Sequence, residues 1–430
     1  MKLIRTTVLG RDVSQGHRIN VNSFQQDAIV SFAGFQYAAW YEDSDLDSLS
    51  RHVWIARRKL NSTEWQKLEL RDYRQTRNDG HNTISIGISG DGIIHMAYDL
   101  HNMNLNYRKS VSPVALKPEQ HPWTSDIFTP NLNKLSQWDS SLFNMMTYPR
   151  FLRLENGDLL FEFRRGRSGL GDDYLWRYHV ATAEWLPVGT EFGLYLKGIG
   201  NNAYINGIDY YQGKIYVSWT YRNFVEDGGP SEYSSQAGPN GPENNHDLLF
   251  AYSEDYGVTW KDSAGKALDT PIMPSAEGIV AYKIPMHSGI LNQEGQTVDM
   301  SGNFHVINRE NTDGTASWYH YWLKDRAWHR SAIHHNFLDT PQLIGNRAKL
   351  LCDNFDNLYA LIPGNTSSSF TILRACPYDG YHEWKSVFHE EGFDGEPLFD
   401  RERRFDDRIV SILQRTSHDP RKIVVLDFVI

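Results

Sequence analysis

Cysteine is nearly absent, with Cys352 and Cys376 the only two among 430 residues. They sit far apart and in no C-x-x-C pair, which excludes a dense disulfide framework and a thiolate zinc site. Long apolar runs are missing too. No stretch approaches the roughly 18 residues that a membrane-spanning helix needs, and the opening MKLIRTTVLGRD lacks the apolar centre of an export signal. The chain is therefore expected to be soluble, with no membrane partner and no visible signal peptide, and its compartment is left open. A positive excess is also lacking: 43 Lys and Arg face 53 Asp and Glu, for a net charge of −10. Nucleic acid and anionic membrane surfaces would not be attracted at long range. A local basic cleft is compatible with that total.

Aromatic residues are plentiful, at 13% with 13 Trp and 23 Tyr. They favour strands and often accompany carbohydrate contact surfaces, although most are expected simply to fill sheet interfaces. Helix signals are sparse. The organising stretch runs from Asp79 to Ser110, where Ile84-Ser85-Ile86-Gly87-Ile88 and Ile93-Ile94-His95-Met96-Ala97-Tyr98 flank the turn Gly90-Asp91-Gly92. Two alternating apolar runs around such a turn predict a hairpin, and Leu105-Asn106-Tyr107-Arg108 supplies a third strand. The dipeptide His-Asn occurs at both edges, as His81-Asn82 and His101-Asn102. In a meander these positions lie at the same end of the sheet, so the two imidazoles can meet.

The hairpin recurs. Turns between apolar strands appear around Gly34, at Glu155 to Asp158, at Gln212-Gly213, at Ser301 to Asn303, at Asn354 to Asn357 and around Asp406. With the first hairpin these make seven units, most followed by a further, often Trp-bearing, strand. Such repetition fits radial blades better than a sandwich, because a propeller protects its strand edges by repetition around an axis. The expected fold is all-β, a seven-bladed β-propeller of four-stranded antiparallel blades in a single domain over residues 1–430, with the first strand LIRTTVL pairing with the last, IVVLDFVI. Insertions at 111–146 and 223–246, rich in Pro, Gly, Ser and Asn, are expected as loops on a face. Ser253-Glu254-Asp255-Tyr256-Gly257-Val258-Thr259-Trp260 fits S-x-D-x-G-x-T-W, the aspartate box of sialidase-like propellers. Its residues have a local task, with Asp and Ser bonding the turn backbone, Gly at positive φ and Trp packing between sheets.

Corresponding strand edges in successive units carry His81, Tyr148 and Tyr204 on one side and His101, Arg164 and Arg222 on the other. That pattern predicts a cleft. Its chemistry suits elimination at a uronic acid, in which the C5 proton becomes removable once cations quench the neighbouring carboxylate. His or Tyr then serves as base and as acid toward the leaving oxygen, and a Tyr beside arginines has its pKa lowered toward that role. The alternative is that His81 and His101 are turn residues bonding nearby backbone, Tyr148 packs on Pro149, and some of Arg164, Arg165 and Arg167 pair with Glu162, Asp172 or Asp173. His95 reads as packed or pore-facing, Asn292 and Gln293 as strand-end or channel residues, and His334-His335 as surface loop. For His246, capping of the aspartate-box hairpin and a place in the cleft both stay open.

The run HN-x-ISIGIS-x-DG-x-IH-x-x-YD-x-HN-x-x-L-x-YR, followed by TYPRF, FRRGRSG, SWTYR, NHDLLFAYS-x-D-x-G-x-TW and LNQEGQTVD-x-x-G-x-FHV, resembles the BNR-type propeller polysaccharide lyases, including ulvan lyases and fungal L-rhamnose-α-1,4-D-glucuronate lyases. The resemblance spans about Gly80 to His305. It implies β-elimination at a rhamnosyl-(1→4)-glucuronate bond, with His81 and His101 as active-site histidines, Tyr148 as acid/base partner and Arg164 as carboxylate binder. Asn82, Tyr204 and Arg222 would line the substrate subsite. It implies no cofactor for catalysis and a uronate-containing polysaccharide or oligosaccharide as partner, with extracellular action in keeping with that substrate. The His/Cys zinc cluster of some ulvan lyases has no counterpart here, so no metal ligand is assigned, and a structural or channel ion is left without a site. A monomer is expected. The acidic chain favours an uncharged rhamnose cap on a gum arabic-type polymer over sulfated ulvan. A sialidase-like hydrolase and a non-catalytic carbohydrate-binding propeller are the competing readings.

Overall fold

The computed structural model describes residues 1–44, 47–198, 201–224, 241–342, 345–403 and 408–430. The expected turn around Asp406 and most of the insertion at 223–246 lie outside the described residues. Among the described residues the strands form seven antiparallel sheets, and the fold class is the seven-bladed β-propeller. Four sheets have four strands, one has three and two have six. No helix among the described residues is long and apolar enough to cross a membrane.

The chain divides into two compact units. One comprises Met1–Phe163, Trp176–Leu186 and Gly392–Ile430, the other Arg164–Leu175 and Pro187–Glu391. In the first unit the opening strand Lys2–Arg11 runs antiparallel to the closing strand Lys422–Val429, with Thr6 opposite Leu426 and Val8 opposite Val424, as the sequence predicts. Fully buried Asp427 accepts hydrogen bonds from Arg58 at 2.9 Å, Arg403 at 3.0 Å and Ser411 at 2.7 Å. A carboxylate so far from water persists only because these donors surround it.

The hairpin of Ile84–Ile88 and Ile94–Tyr98 forms as expected, with Ile84 opposite Tyr98 and Ile88 opposite Ile94. Its strands are buried throughout, where half-exposed alternation would follow from a one-sided sheet. The reason is a large-small alternation. Ile84, Ile86 and Ile88 join Tyr37, Ala39, Tyr41, Val53 and Ile55 in one apolar cluster. Ser85 and Gly87, on the opposite face, meet the strand Met146–Arg153: Ser85 Oγ donates to the Pro149 carbonyl at 2.6 Å, and a Cβ at Gly87 would lie 2.5 Å from the Phe151 Cβ. Only glycine permits that approach. The third strand, Tyr107–Lys109, pairs with Ile94–Tyr98. The sheet has three strands because the insertion at 111–146 covers its outer edge through the bridges Tyr107 to Leu132 and Ser110 to Phe128. His95 is fully buried, with Nδ1 2.6 Å from the Tyr107 hydroxyl and Nε2 3.1 Å from Ser89 Oγ.

In the second unit the aspartate box does the local task read from its sequence. Asp255 Oδ1 accepts from the Thr259 amide at 2.9 Å and from Ser253 Oγ at 2.8 Å, while Ser253 Oγ accepts from the Gly257 amide at 2.8 Å. Gly257 has a φ of 93°, and Trp260 is fully buried against Tyr195 with ring centroids 5.1 Å apart. Replacing Trp260 by alanine is expected to cost about 3–5 kcal/mol, the range for emptying a buried aromatic site, measured as a lower urea midpoint. The turns after Asp299 and Asp353 use the same device. Asp299 Oδ1 accepts from the Ser301 and Asn303 amides, and Asp353 Oδ1 accepts from those of Phe355 and Asn357.

Candidate active site

The histidine cluster lies in the first unit. The turn Asp79-Gly80-His81 precedes the strand Ile84–Ile88, and Asp79 Oδ1 accepts from the His81 amide at 3.0 Å, an aspartate turn that fixes where the imidazole starts. His101 begins the short strand His101–Met103, which leaves its own hairpin and pairs with Met146–Arg153, placing His101 opposite Thr147. The Asn102 amide donates to Thr147 Oγ1 at 3.0 Å. This cross-strand pairing sets His101 beside the residue that precedes Tyr148.

The two imidazoles meet, as the repeated His-Asn dipeptides predict. Their ring centroids are 4.2 Å apart with planes 23° from parallel. Phe24 stacks on His81 at 4.2 Å and on Tyr148 at 5.4 Å, and the His81 and Tyr148 centroids are 5.9 Å apart. Tyr148 is buried and has a φ of 60°, an uncommon conformation for an aromatic residue that the surrounding packing must hold. Each imidazole keeps one fifth of its side-chain surface in solvent. The cluster is both ordered and reachable.

Asp79 joins the two rings. Its Oδ1 is 2.6 Å from His81 Nδ1, and its Oδ2 is 2.5 Å from His101 Nδ1. Burial alone would raise the Asp79 pKa, but the hydrogen bonds from His101 and His81 hold it well below the ordinary carboxylate range. Sequence reasoning missed Asp79 and Phe24. A carboxylate two residues before a candidate histidine was the available signal for Asp79, whereas Phe24 is distant in sequence and carries none. Among the described residues, Asp79, His81 and His101 also form the one group with metal-capable donors, all within 4.8 Å of one another. The Nδ1 to oxygen separations are hydrogen-bond lengths. Asn82 is buried, and its Nδ2 donates to Asp99 Oδ1 at 2.7 Å.

The second unit holds Arg164, Tyr204 and Arg222. Asn202 lies opposite Arg222 and Tyr204 opposite Thr220 on the paired strands Asn201–Tyr211 and Lys214–Asn223. Tyr204 and Arg222 are thus diagonal neighbours on one face. The Arg222 guanidinium carbon is 4.2 Å and that of Arg164 5.2 Å from the centre of the Tyr204 ring. Ser168 Oγ lies 3.2 Å from the Tyr204 hydroxyl and accepts from Arg222 Nη1 at 3.3 Å, while Arg222 Nε donates to Asn245 Oδ1 at 2.8 Å. Burial would raise the Tyr204 pKa, yet the charges of Arg222 and Arg164 outweigh it and lower the phenol. Arg222 and Arg164 thus flank Tyr204, whereas the sequence reading gave the acid/base role to Tyr148. Gly171 closes this cluster, since a Cβ there would fall 2.9 Å from Arg164 Cδ. Of the proposed acidic partners, Glu162 pairs with Arg150 at 2.8 Å and Asp172 with Lys197 at 2.7 Å. His246 bonds Asp247 at 3.0 Å and Asn223 at 2.8 Å.

These features define a seven-bladed β-propeller with a carboxylate-linked histidine pair. The chain belongs to the BNR repeat-containing family, whose model matches residues 35–336. Among curated relatives, the long-isoform ulvan lyase of Pseudoalteromonas sp. (strain PLSV) is 24% identical over 330 residues, which is 66% of this chain and 31% of that protein. The long-isoform ulvan lyase of Glaciecola sp. (strain KUL10) is 26% identical over 329 residues, 65% of this chain and 29% of the relative. This chain spans about a third of the length of such relatives. Of solved structures, that of polysaccharide lyase Uly1 is similar with a TM-score of 0.75 and 17% identity, over 100% of this chain and 99% of that one. A PL25 ulvan lyase bound to -[GlcA(1-4)Rha3S]- has a TM-score of 0.69 and 16% identity, over 97% of this chain and 95% of that one. The likeness to these structures is one of fold.

Proposed function

We propose that the protein is a polysaccharide lyase that cleaves a rhamnosyl-uronate polymer of the ulvan type by β-elimination. The observation that carries this reading is the stacked His81 and His101 pair, hydrogen-bonded to one carboxylate beside Tyr148. Two neighbouring groups able to move protons are what the reaction asks for. A base takes the C5 proton, the C–H electron pair becomes the C4=C5 double bond, the C4–O bond breaks, and the departing oxygen receives a proton. His81, His101 and Tyr148 supply the acid and the base. Arginine is the residue type suited to quench the uronate carboxylate, the charge that otherwise opposes removal of the proton, and the sequence resemblance assigns Arg164 to that part. The ulvan lyase relatives and the oligosaccharide named for the PL25 structure favour a sulfated rhamnosyl-uronate substrate.

One observation favours a second reading. The net charge of −10 suits an uncharged rhamnose cap on a gum arabic-type polymer better than a sulfated polyanion. Incubation with ulvan and, separately, with gum arabic distinguishes the two. The expected result is ultraviolet absorbance from the new conjugated double bond on ulvan. The same signal on gum arabic alone, with free rhamnose, transfers the assignment to the second reading. New reducing ends without absorbance on either polymer would indicate a hydrolase, and binding without any product would overturn the enzymatic reading.

A further inference from the structure

We infer that Phe24 is a positioning residue that holds the His81 imidazole and the Tyr148 phenol at one fixed spacing, with Asn22 tying it to the turn that carries His81. The catalytic consequence rests on the lyase reading, whereas the placement of the rings does not. Phe24 and His101 each stack on His81, with centroids 4.2 Å away and planes 23° from parallel. Two near-parallel rings so close to a third can lie only on its two faces, so His81 is held between them. Phe24 also stacks on Tyr148, at 5.4 Å and 28°. One flat ring thus touches both groups, whose own centroids are 5.9 Å apart with planes tilted by 51°. The positive φ of Tyr148, 60°, persists only where neighbours hold it, and Phe24 is one of those neighbours.

The loop that carries Phe24 is built around the same turn. Asn22 is 2% exposed. Its Oδ1 accepts from the Phe24 amide at 3.0 Å, and its Nδ2 donates to the carbonyls of Gly80 and Arg18, both at 2.9 Å. One side-chain amide therefore fixes Phe24 with its acceptor and the residue before His81 with its donor. Two residues after His81, Thr83 Oγ1 donates to the Phe24 carbonyl at 3.1 Å. Before it, the His17 amide donates to Asn78 Oδ1 at 2.7 Å. The loop is moored in turn to Glu396, which is buried: Oε2 accepts from the Ser23 amide at 2.6 Å, and its own amide donates to the Val21 carbonyl at 2.9 Å. A ring held by this many bonds stays in place, and the rate of a positioned reaction falls steeply once the groups shift by about 1 Å.

Phe24→Leu and Phe24→Tyr test this, the first apolar without a flat face, the second keeping the ring. On the polymer that the wild type cleaves, F24L should lower kcat about 10²-fold, the loss that a misplacement of about 1 Å brings, with KM within a few-fold. F24Y should stay within a few-fold of the wild type in both. Asn22→Asp should lower kcat in the same direction, because it keeps the acceptor for the Phe24 amide but sets an oxygen against the two carbonyls. In proton NMR of the full chain, with the His81 signals assigned through His81→Gln, the ring protons should move downfield in F24L, which lacks the ring current of Phe24, and should move in N22D as well. An unchanged kcat in F24L, or equal losses in F24L and F24Y, would overturn the proposal. A raised KM with unchanged kcat would do so too, by making the ring a platform for substrate. So would His81 signals that stay unmoved in whichever of F24L and N22D folds. The spectra need no substrate, so they judge the placement of His81 separately from the lyase reading, which stands or falls on whether the wild type releases an unsaturated product.

Discussion

His101→Ala and His81→Ala are each expected to lower kcat on the cleaved polymer by about 10²- to 10⁴-fold, the usual contribution of one positioned acid or base. The two losses should not add. Both rings bond the same carboxylate and stack on each other, and residues that act as a unit show strong non-additivity. The double variant should be little slower than the worse single one. Steady-state kinetics followed by product absorbance provides the measurement, and thermal unfolding checks that the fold survives, as partly exposed rings would allow. Multiplying losses would mean that the imidazoles act independently. The pH dependence has a definite sign. The folded-state pKa of Asp79 is depressed, so its hydrogen bonds contribute stability above its unfolded value of about 4. That contribution is lost only as pH falls from there toward the depressed folded value. Urea unfolding followed below about pH 4 should therefore show that loss.

Arg222→Ala is the other large effect expected, a fall in kcat/KM of about 10²- to 10³-fold, comparable with removing one charge-stabilising donor from an active site. Arg222 is the nearer of the two guanidinium groups to the Tyr204 ring, and two of its nitrogens hydrogen-bond to Asn245 and Ser168. Arg222→Lys should rescue little, since an ammonium cannot reproduce a planar fork that bonds two partners and stacks on a ring. The Tyr204 pKa should rise in Arg222→Ala, because the first charge opposing its burial is gone. An ultraviolet difference titration against Tyr204→Phe measures that shift. An unchanged kcat/KM in Arg222→Ala would remove this residue from carboxylate binding.

The sequence by itself determined the repeated hairpins, the pairing of the first strand with the last, the aspartate box and the approach of the two histidines. Each follows from local rules: strand period, turn chemistry and the shared end of a meander. Tertiary structure decided the rest. Only the fold could show that Ser85 and Gly87 are small because Pro149 and Phe151 press on them, that Phe24 stacks on His81, and that two arginines surround Tyr204. It also showed Asp79 bonding both imidazoles, one of them 22 residues away. The physical reason is range: hydrogen bonds and stacking act over a few ångströms, and which distant residues come that close is set by how sheets pack, which no local pattern encodes.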